Sequence, residues 1–364
     1  MSKKAIISNV LKPIGWLFGF FALVRRFLYK TNILKSRKSP LPIITIGNLA
    51  VGGTGKTPHS QYVINTLKDV FQVAFLSRGY GRKSHGYKSV KKLSAQQLNP
   101  QIIGDEPFMI YKRNPEIPLA VDANRYEGLC NLRTENPEID VVILDDAYQH
   151  LKLKKGLNIL LTEFENPYYN DFPMPAGRLR EFPSVSKYAD ILIVTKTPED
   201  HDVDADFWRQ KLKINENQYL FFTKIKYEKL QPVTITANSC NLDNLKKIIL
   251  LTAIAHPDPL KNYLIQNYTI EKHISYSDHH YFSSKDMTEL YECQKNSDFT
   301  TPIVTTEKDW ARMQIPDIVN IVSLLPIFVI RIEVEFLSGD NRNMFNNILF
   351  DYVRREKKNN SRNS

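Results

Sequence analysis

Short, unbroken apolar runs punctuate the first two thirds of the chain: Ile43–Ile46, Gln72–Ser77, Pro118–Val121, Asp140–Leu144, Leu157–Leu161 and Asp190–Val194. A strand buried on both faces has no solvent side to mark with polar residues, so a series of such runs predicts a parallel sheet. Between them the apolar spacing turns helical. Tyr62, Val63 and Leu67 predict a helix over Thr57–Lys68, and Gly104–Arg113 predicts another. Strand and helix alternating in this way give an α/β domain over residues 39–218.

The pattern changes after residue 218. Tyr219–Tyr227 and Phe328–Phe336 are strand-like and rich in β-branched and aromatic residues. The segment they bracket alternates again, with strands at Ile248–Thr252 and Pro302–Val304 and a helix from about Ser284. We therefore expect a second, smaller α/β domain over 219–337, joined through two antiparallel, strand-like connections that either act as a hinge on which the domains close or hold them as one rigid body. Residues 338–364 complete the chain as a helix over Asn341–Arg355 and a basic tail expected to be disordered.

The first 38 residues stand apart. Ile14–Val24 is a run of eleven apolar or glycine residues containing Trp16, Phe18, Phe20 and Phe21. A helix needs about 20 apolar residues to cross a bilayer, so the run is short for a span. No Ala-x-Ala-like cleavage site follows to mark a signal peptide. A core helix would not explain an arm without acids, whereas a helix lying in an anionic membrane surface explains lysines and aromatics together.

Charge sharpens this. Residues 1–40 carry nine Lys or Arg and no acid, and the tail from Val353 adds five basic residues and one acidic one. With a formal net charge of +10 overall, those ends leave 41–352 at −3. That argues against a basic nucleic-acid face on the folded body. Cys130, Cys240 and Cys293 are too far apart for a disulfide framework or a metal motif, and read as reduced, buried thiols of a cytoplasmic protein.

The chemistry starts where the first strand ends, at Ala50-Val-Gly52-Gly53-Thr54-Gly55-Lys56-Thr57. A glycine turn closing on Gly-Lys-Thr at a helix start cradles nucleotide phosphates with backbone N–H groups, the lysine and a hydroxyl. Ala50 stands where the strict pattern has its first glycine, and Gly52 and Gly53 are expected to supply the backbone freedom. Asp145 and Asp146 follow a buried strand, where the Mg²⁺ of such a nucleotide is held.

Other loops at strand ends carry Arg78, Tyr80 and Arg125. Asp105 opens a helix, where a carboxylate is often only a cap. The irregular segment 164–183 delivers Arg178, Arg180 and Glu181, which suit either phosphate contact or surface ion pairs. Asp278-His279-His280 reads as a solvated turn or part of a site, and Thr306-Glu-Lys-Asp309 as a helix cap.

Taken in order, Asn48–Pro58, Ser77-Arg-Gly-Tyr-Gly81, Gly104-Asp-Glu-Pro107, Asp145-Asp-Ala-Tyr-Gln-His150, Pro175-Ala-Gly-Arg-Leu-Arg-Glu181, Asp278-His279 and Thr306-Glu-Lys-Asp309 resemble the tetraacyldisaccharide 4'-kinase family over nearly the whole chain. That family also lacks the first loop glycine; Ala147 stands where many of its members have glycine. The resemblance implies a P-loop NTPase (RecA-like) three-layer α/β/α domain with the smaller α/β domain beside it. It implies transfer of the γ-phosphoryl of ATP, with Mg²⁺, to the 4'-hydroxyl of an acylated glucosamine disaccharide 1-phosphate in lipid A synthesis.

By resemblance, Gly52, Gly53, Thr54, Gly55, Lys56 and Thr57 bind nucleotide, and Thr57, Asp145, Asp146 and Gln149 form the metal environment. Asp105 becomes the general base with His279 as its orienting partner and His280 as the second choice; Lys56, also catalytic, contacts the β and γ phosphates, and Arg180 carries transition-state charge. Arg78, Tyr80, Arg125, His150 and Glu181 are the substrate contacts. A monomer on the cytoplasmic face of a bacterial inner membrane, peripheral or monotopic, is the implied setting. A membrane-recruited P-loop switch is the competing class; it would consume ATP without an acceptor and has no use for a second domain bearing Asp278-His279.

Overall fold

The computed structural model describes residues 3–154, 156–199, 203–240, 245–295 and 301–361. A long helix, α1 (Lys3–Lys30), comes first. The chain then lays down β1 (Ile43–Asn48), α2 (Lys56–Leu67), β2 (Val73–Ser77), β3 (Lys88–Ser89), α3 (Pro100–Ile103), α4 (Asp105–Arg113), β4 (Leu119–Val121), α5 (Arg125–Glu135), β5 (Val141–Asp145), β6 (Leu157–Glu163), β7 (Ile191–Thr195), α6 (Ala205–Leu212) and β8 (Tyr219–Tyr227). A second sheet follows from β9 (Gln231–Pro232), α7 (Ile235–Asn238), β10 (Lys247–Thr252), α8 (Asp258–Leu264), β11 (Thr269–Ser275), α9 (Ser284–Lys295), β12 (Ile303–Thr306), α10 (Glu307–Met313), α11 (Val319–Val322) and β13 (Ile327–Ile330). β14 (Ile332–Phe336) and α12 (Gly339–Ser361) return to the first body.

The large sheet runs β14-β8-β7-β6-β1-β5-β2-β4-β3 and the small one β11-β10-β12-β13-β9. Pairing is parallel except at edge strands β14, β3 and β9. The unbroken apolar run of β5 has a direct cause. Val141 and Ile143 join Ile44, Val63 and Phe108 on the face covered by α2, α4 and α12, while Val142 and Leu144 join Leu129 and Leu132 beneath α5. Both faces are buried, giving a three-layer α/β/α body of the P-loop class.

Two readings change. Phe328–Phe336 is not one strand: the chain breaks at Arg331, so β13 lies in the small sheet and β14 pairs antiparallel with β8 in the large one. All of Ile327–Ile330 is buried, whereas β14 alternates as an edge strand does. The two crossings between sheets touch, because Glu228 N–H donates to the Arg331 carbonyl at 2.9 Å. The tail from Val353 is also helical through Ser361, since Phe345, Leu349, Tyr352 and Val353 form one stripe buried against the large sheet. Residues 362–364 lie outside the described residues. The three cysteines are free and half-buried.

Helix α1 is seated by its small residues. A Cβ on Gly15 would lie 2.6 Å from the Pro173 carbonyl oxygen, and one on Gly19 2.5 Å from the Phe182 ring. Arg26 passes between the Tyr148 and Tyr188 rings and ion-pairs with Glu181, both partners buried. Glu181, expected as a substrate contact, is here the buried partner that anchors the arm. Phe20 and Phe21, 55% and 62% exposed, point away from the body along with Leu17 and Phe27. Among the described residues no helix is long and apolar enough to cross a membrane.

Removing one partner of a buried ion pair strands the other charge. Glu181→Ala should lower the unfolding free energy by about 3–5 kcal/mol in urea titrations. Glu127→Ala, which breaks an exposed pair with Arg37, should change it by under about 1 kcal/mol.

Candidate active site

β1 ends at Asn48, and the loop that follows reaches α2 through Gly55, whose φ of 89° excludes most other residues. Gly52 has φ of 115°, and a Cβ there would meet nothing within 4 Å, so this part of the loop is open to a ligand. Ala50 is used differently. It is buried and bridges Leu179, flanked by Val51 N–H to the Arg178 carbonyl (2.8 Å) and Arg180 N–H to the Leu49 carbonyl (2.7 Å). The position that lacks glycine is a backbone-pairing position. Asn48 Nδ2 donates to Thr54 Oγ1 at 2.7 Å and Thr195 Oγ1 to the Thr54 carbonyl at 3.0 Å, bracing the turn. Lys56 and Thr57 follow in the first turn of α2.

β5 places its acids beside this loop, with Asp145 in register with Ile46. Asp145 is 1% exposed, and Ser60 Oγ donates to it at 3.1 Å. Burial, with the nearby charge of Glu106, pushes its carboxyl up to about 7 against the pull of Lys56. Asp146, held at φ 47°, accepts from Arg180 Nη1 at 2.9 and 3.0 Å, and Lys56 Nζ lies 3.9 Å away. Gln149 Nε2 donates to the Asn48 carbonyl, which leaves Oε1 buried with no partner. These residues fit a divalent cation: the donors are hard oxygens, one of them an orphan and one a carboxylate driven to shed its charge. Among the described residues no three His, Cys, Asp or Glu form a complete metal cluster. That suits Mg²⁺, which takes one or two carboxylates and completes its shell with water and substrate phosphate.

The opposite wall comes from α4 and the small sheet. Asp105, at the start of α4, accepts from Arg312 Nε at 2.9 Å. His279, in the left-handed region at φ 61°, has Nδ1 3.0 Å from Arg312 Nη2 and 4.0 Å from Asp105 Oδ2. His280 is committed elsewhere, to Asp286 at 3.1 Å with its ring on Tyr276. Lys308 Nζ donates to Glu106 at 3.0 Å. Burial alone would lower that ammonium, but Glu106 and Asp105 outweigh it and hold it above its ordinary range.

A cationic rim surrounds His150. Burial first, then the charges of Arg125, Lys152, Arg25 and Arg78, push its imidazole down to about 4, so it is neutral. Arg125 is itself buried, gives Nη1 to the Asp122 and Ala123 carbonyls at 3.2 Å, and keeps an unpartnered Nε. Burial and Arg78 lower its guanidinium to about 10. Tyr80 is exposed with its ring 6.0 Å from that of His279. Arg25 of α1 donates to the Gln149 carbonyl at 3.3 Å, which ties the arm to the cleft.

The structure thus gathers loop, acids and Arg180 at the carboxyl ends of β1 and β5, where open α/β sheets bind ligands, and Asp105 adjoins Glu106, whose charge reaches Asp145. Fold and loop define a P-loop nucleotide-binding α/β enzyme. The family model for tetraacyldisaccharide-1-P 4'-kinase matches residues 7–352. The tetraacyldisaccharide 4'-kinase of Bacteroides thetaiotaomicron is 40% identical, over 98% of this chain and 96% of its own. That of Flavobacterium johnsoniae is 39% identical, over 88% and 92%. The crystal structure of Aquifex aeolicus LpxK in complex with ATP superposes with a TM-score of 0.73 at 26% identity, over 95% of this chain and 99% of that one. The chain belongs to the tetraacyldisaccharide-1-P 4'-kinase family.

Sequence reasoning missed Arg312 and Lys308, and gave the Thr306–Asp309 turn only a cap. Asp309 is fully buried, accepting from Thr306 Oγ1 at 2.8 Å, Ala253 N at 3.0 Å and Arg312 Nη1 at 3.1 Å.

Asp145 generates a stability prediction. Its folded carboxyl keeps its proton to about pH 7 and the unfolded one only to 3.8, so ionisation opposes folding increasingly from about pH 4 to 7 and fully above. Asp145→Asn should therefore stabilise the ligand-free protein at pH 8, by up to about 4 kcal/mol. The gain should fade toward pH 4. Denaturant melts across that range check it, and a variant no more stable than wild type at pH 8 would contradict it.

Proposed function

We propose that the protein transfers the γ-phosphoryl group of ATP to the 4'-hydroxyl of a tetraacylated glucosamine disaccharide 1-phosphate, with Mg²⁺, at a membrane surface. The observation that carries this reading is the Gly52–Thr57 loop with Asp145 and Asp146 beside it in a chain of this family, and next to them Glu106, the neighbour of Asp105, whose charge reaches Asp145. Lys56 and the loop N–H groups hold the phosphates. Thr57, Asp145, Asp146 and Gln149 hold the cation, which neutralises charge on the phosphate oxygens when bound. Asp105 accepts the proton of the sugar hydroxyl as the O–P bond forms and the bond from Pγ to the bridging oxygen of ADP breaks. Arg180 faces the charge spread over the transferring group.

The cationic rim supports an anionic acceptor. Arg78, Arg125 and Arg25 around neutral His150 provide charge-assisted donors for its 1-phosphate, with Tyr80 at the mouth. The exposed aromatic face of α1 supports peripheral attachment to the cytoplasmic face of the inner membrane, placing the cleft beside a lipid acceptor.

Asp105→Ala should lower kcat by about 10²–10⁴-fold with ATP affinity retained, measured by acceptor phosphorylation and nucleotide titration. Near wild-type turnover would remove the base assignment, and ATP consumption independent of acceptor would remove the kinase reading itself. For the arm, Phe20→Glu with Phe21→Glu should abolish cosedimentation with anionic vesicles while leaving the thermal midpoint unchanged; undiminished sedimentation would refute the membrane role.

A further inference from the structure

Arg312 spends its guanidinium on four acceptors. Nε donates to Asp105 Oδ2 at 2.9 Å and Nη2 to His279 Nδ1 at 3.0 Å, while Nη1 serves the Ala253 carbonyl at 2.8 Å and Asp309 Oδ1 at 3.1 Å. Its side chain is 7% exposed, and Asp309, which steadies it, is 0% exposed. The Thr306–Asp309 turn therefore builds a socket for one arginine three residues later.

The chemistry of the donor fixes the state of its neighbour. A guanidinium has no acceptor and is not deprotonated in proteins, so His279 Nδ1 must supply the lone pair. The ring proton then sits on Nε2, which lies 3.8 Å from Asp278 Oδ2. His279 and Asp105 do not bond to each other at 4.0 Å; both bond to Arg312.

We infer that Arg312 is the positioning residue of the proton-accepting pair, setting the Nε2–H tautomer of His279 and the orientation of Asp105 across the junction of the two sheets. This rests on the reading of Asp105 as the base. Asp105 opens α4, next to Glu106, whose charge reaches Asp145, while Arg312, Asp309, Ala253 and His279 all belong to the small sheet and its loops. The base is aligned only when the small sheet is docked. Two other pairs cross the same α4–α10 contact, Lys308 to Glu106 at 3.0 Å and Arg113 to Glu307 at 2.7 Å. Arg113 is thus a comparator that shares the interface but not the base.

The test uses the full chain. Arg312→Lys keeps a charge in the socket but cannot reach Asp105 and His279 together. It should lose about 10²-fold in kcat with KM for ATP within about twofold of wild type, in protein whose cooperative melt shows it folded at the assay temperature. Arg312→Ala should lose at least as much and regain activity with added guanidinium, whereas Asp105→Ala and Arg113→Ala should gain nothing from it. ¹⁵N NMR of His279 should show an unprotonated Nδ1 in wild type and a mixed tautomer in Arg312→Ala. A lysine variant with wild-type kcat, an alanine variant indifferent to guanidinium, or a histidine spectrum unmoved by the substitution would each overturn the inference. Failure of the wild type to phosphorylate the disaccharide would instead overturn the function reading, since the tautomer is observed without turnover.

Discussion

Four carboxylates, Asp105, Glu106, Asp145 and Asp146, stand at one end of one sheet, and the fold is arranged around compensating them. Uncompensated charge this close to a buried site is costly, and the rise of Asp145 under burial first and the charge of Glu106 second registers that cost. No single segment supplies the cations. Lys56 comes from the nucleotide loop and Arg180 from the irregular segment before β7, while Lys308 and Arg312 come from α10 of the small sheet. The position of each element relative to the cleft therefore follows from which acid it serves. Docking of the small sheet in particular is an electrostatic event at the cleft, reinforced further out by Arg113 and Glu307.

The arm obeys the same logic from the other side. Arg26 is drawn in by Glu181, one residue after the arginine that serves Asp146, and Arg25 reaches the Gln149 carbonyl. Segment 178–181 is thus shared between the cleft and the helix that carries the exposed aromatics. Glycines at 15 and 19 let that helix approach closely enough for its arginines to arrive. The helix is fixed at its base and bare on its outer face, as the proposed attachment to a membrane surface would use it.

What the sequence made legible was local chemistry. A glycine turn on a strand end and two acids on another are complete within a few residues, so their types alone suggest the ligand. Partners remote in the chain were not legible. Asp105 and Arg312 are 207 residues apart, Arg26 and Glu181 155 apart, and neither arginine stands in a pattern that announces its acid. Continuity misled as well. The apolar run through residue 336 reads as one strand because β13 is buried on both faces and β14 still presents Val334 and Phe336 inward, yet the two lie in different sheets. Basic composition hid the last helix in the same way, since charge on its exposed side says nothing about Tyr352 and Val353 beneath.

On the proposed reading the cation balance also bears on the ligands. In the ligand-free arrangement Asp146 engages both Arg180 and Lys56, the two groups a transferring phosphate needs. Asp145, more deeply buried, forms no ion pair among the described residues; it accepts from Ser60 and feels Lys56 only through its charge. Asp145, Asp146 and Gln149 Oε1 are the oxygens that would hold a divalent cation, which would supply positive charge beside the phosphates. Lys56 and Arg180, now on Asp146, are the groups that would face the phosphate. The left-handed backbone at Asp146 is consistent with a residue held where two competing cations can reach it. On that reading the acid that costs the fold most, Asp145, is the one placed to meet the cation, and Asp146 shares its two partners, Arg180 and Lys56, with the phosphate.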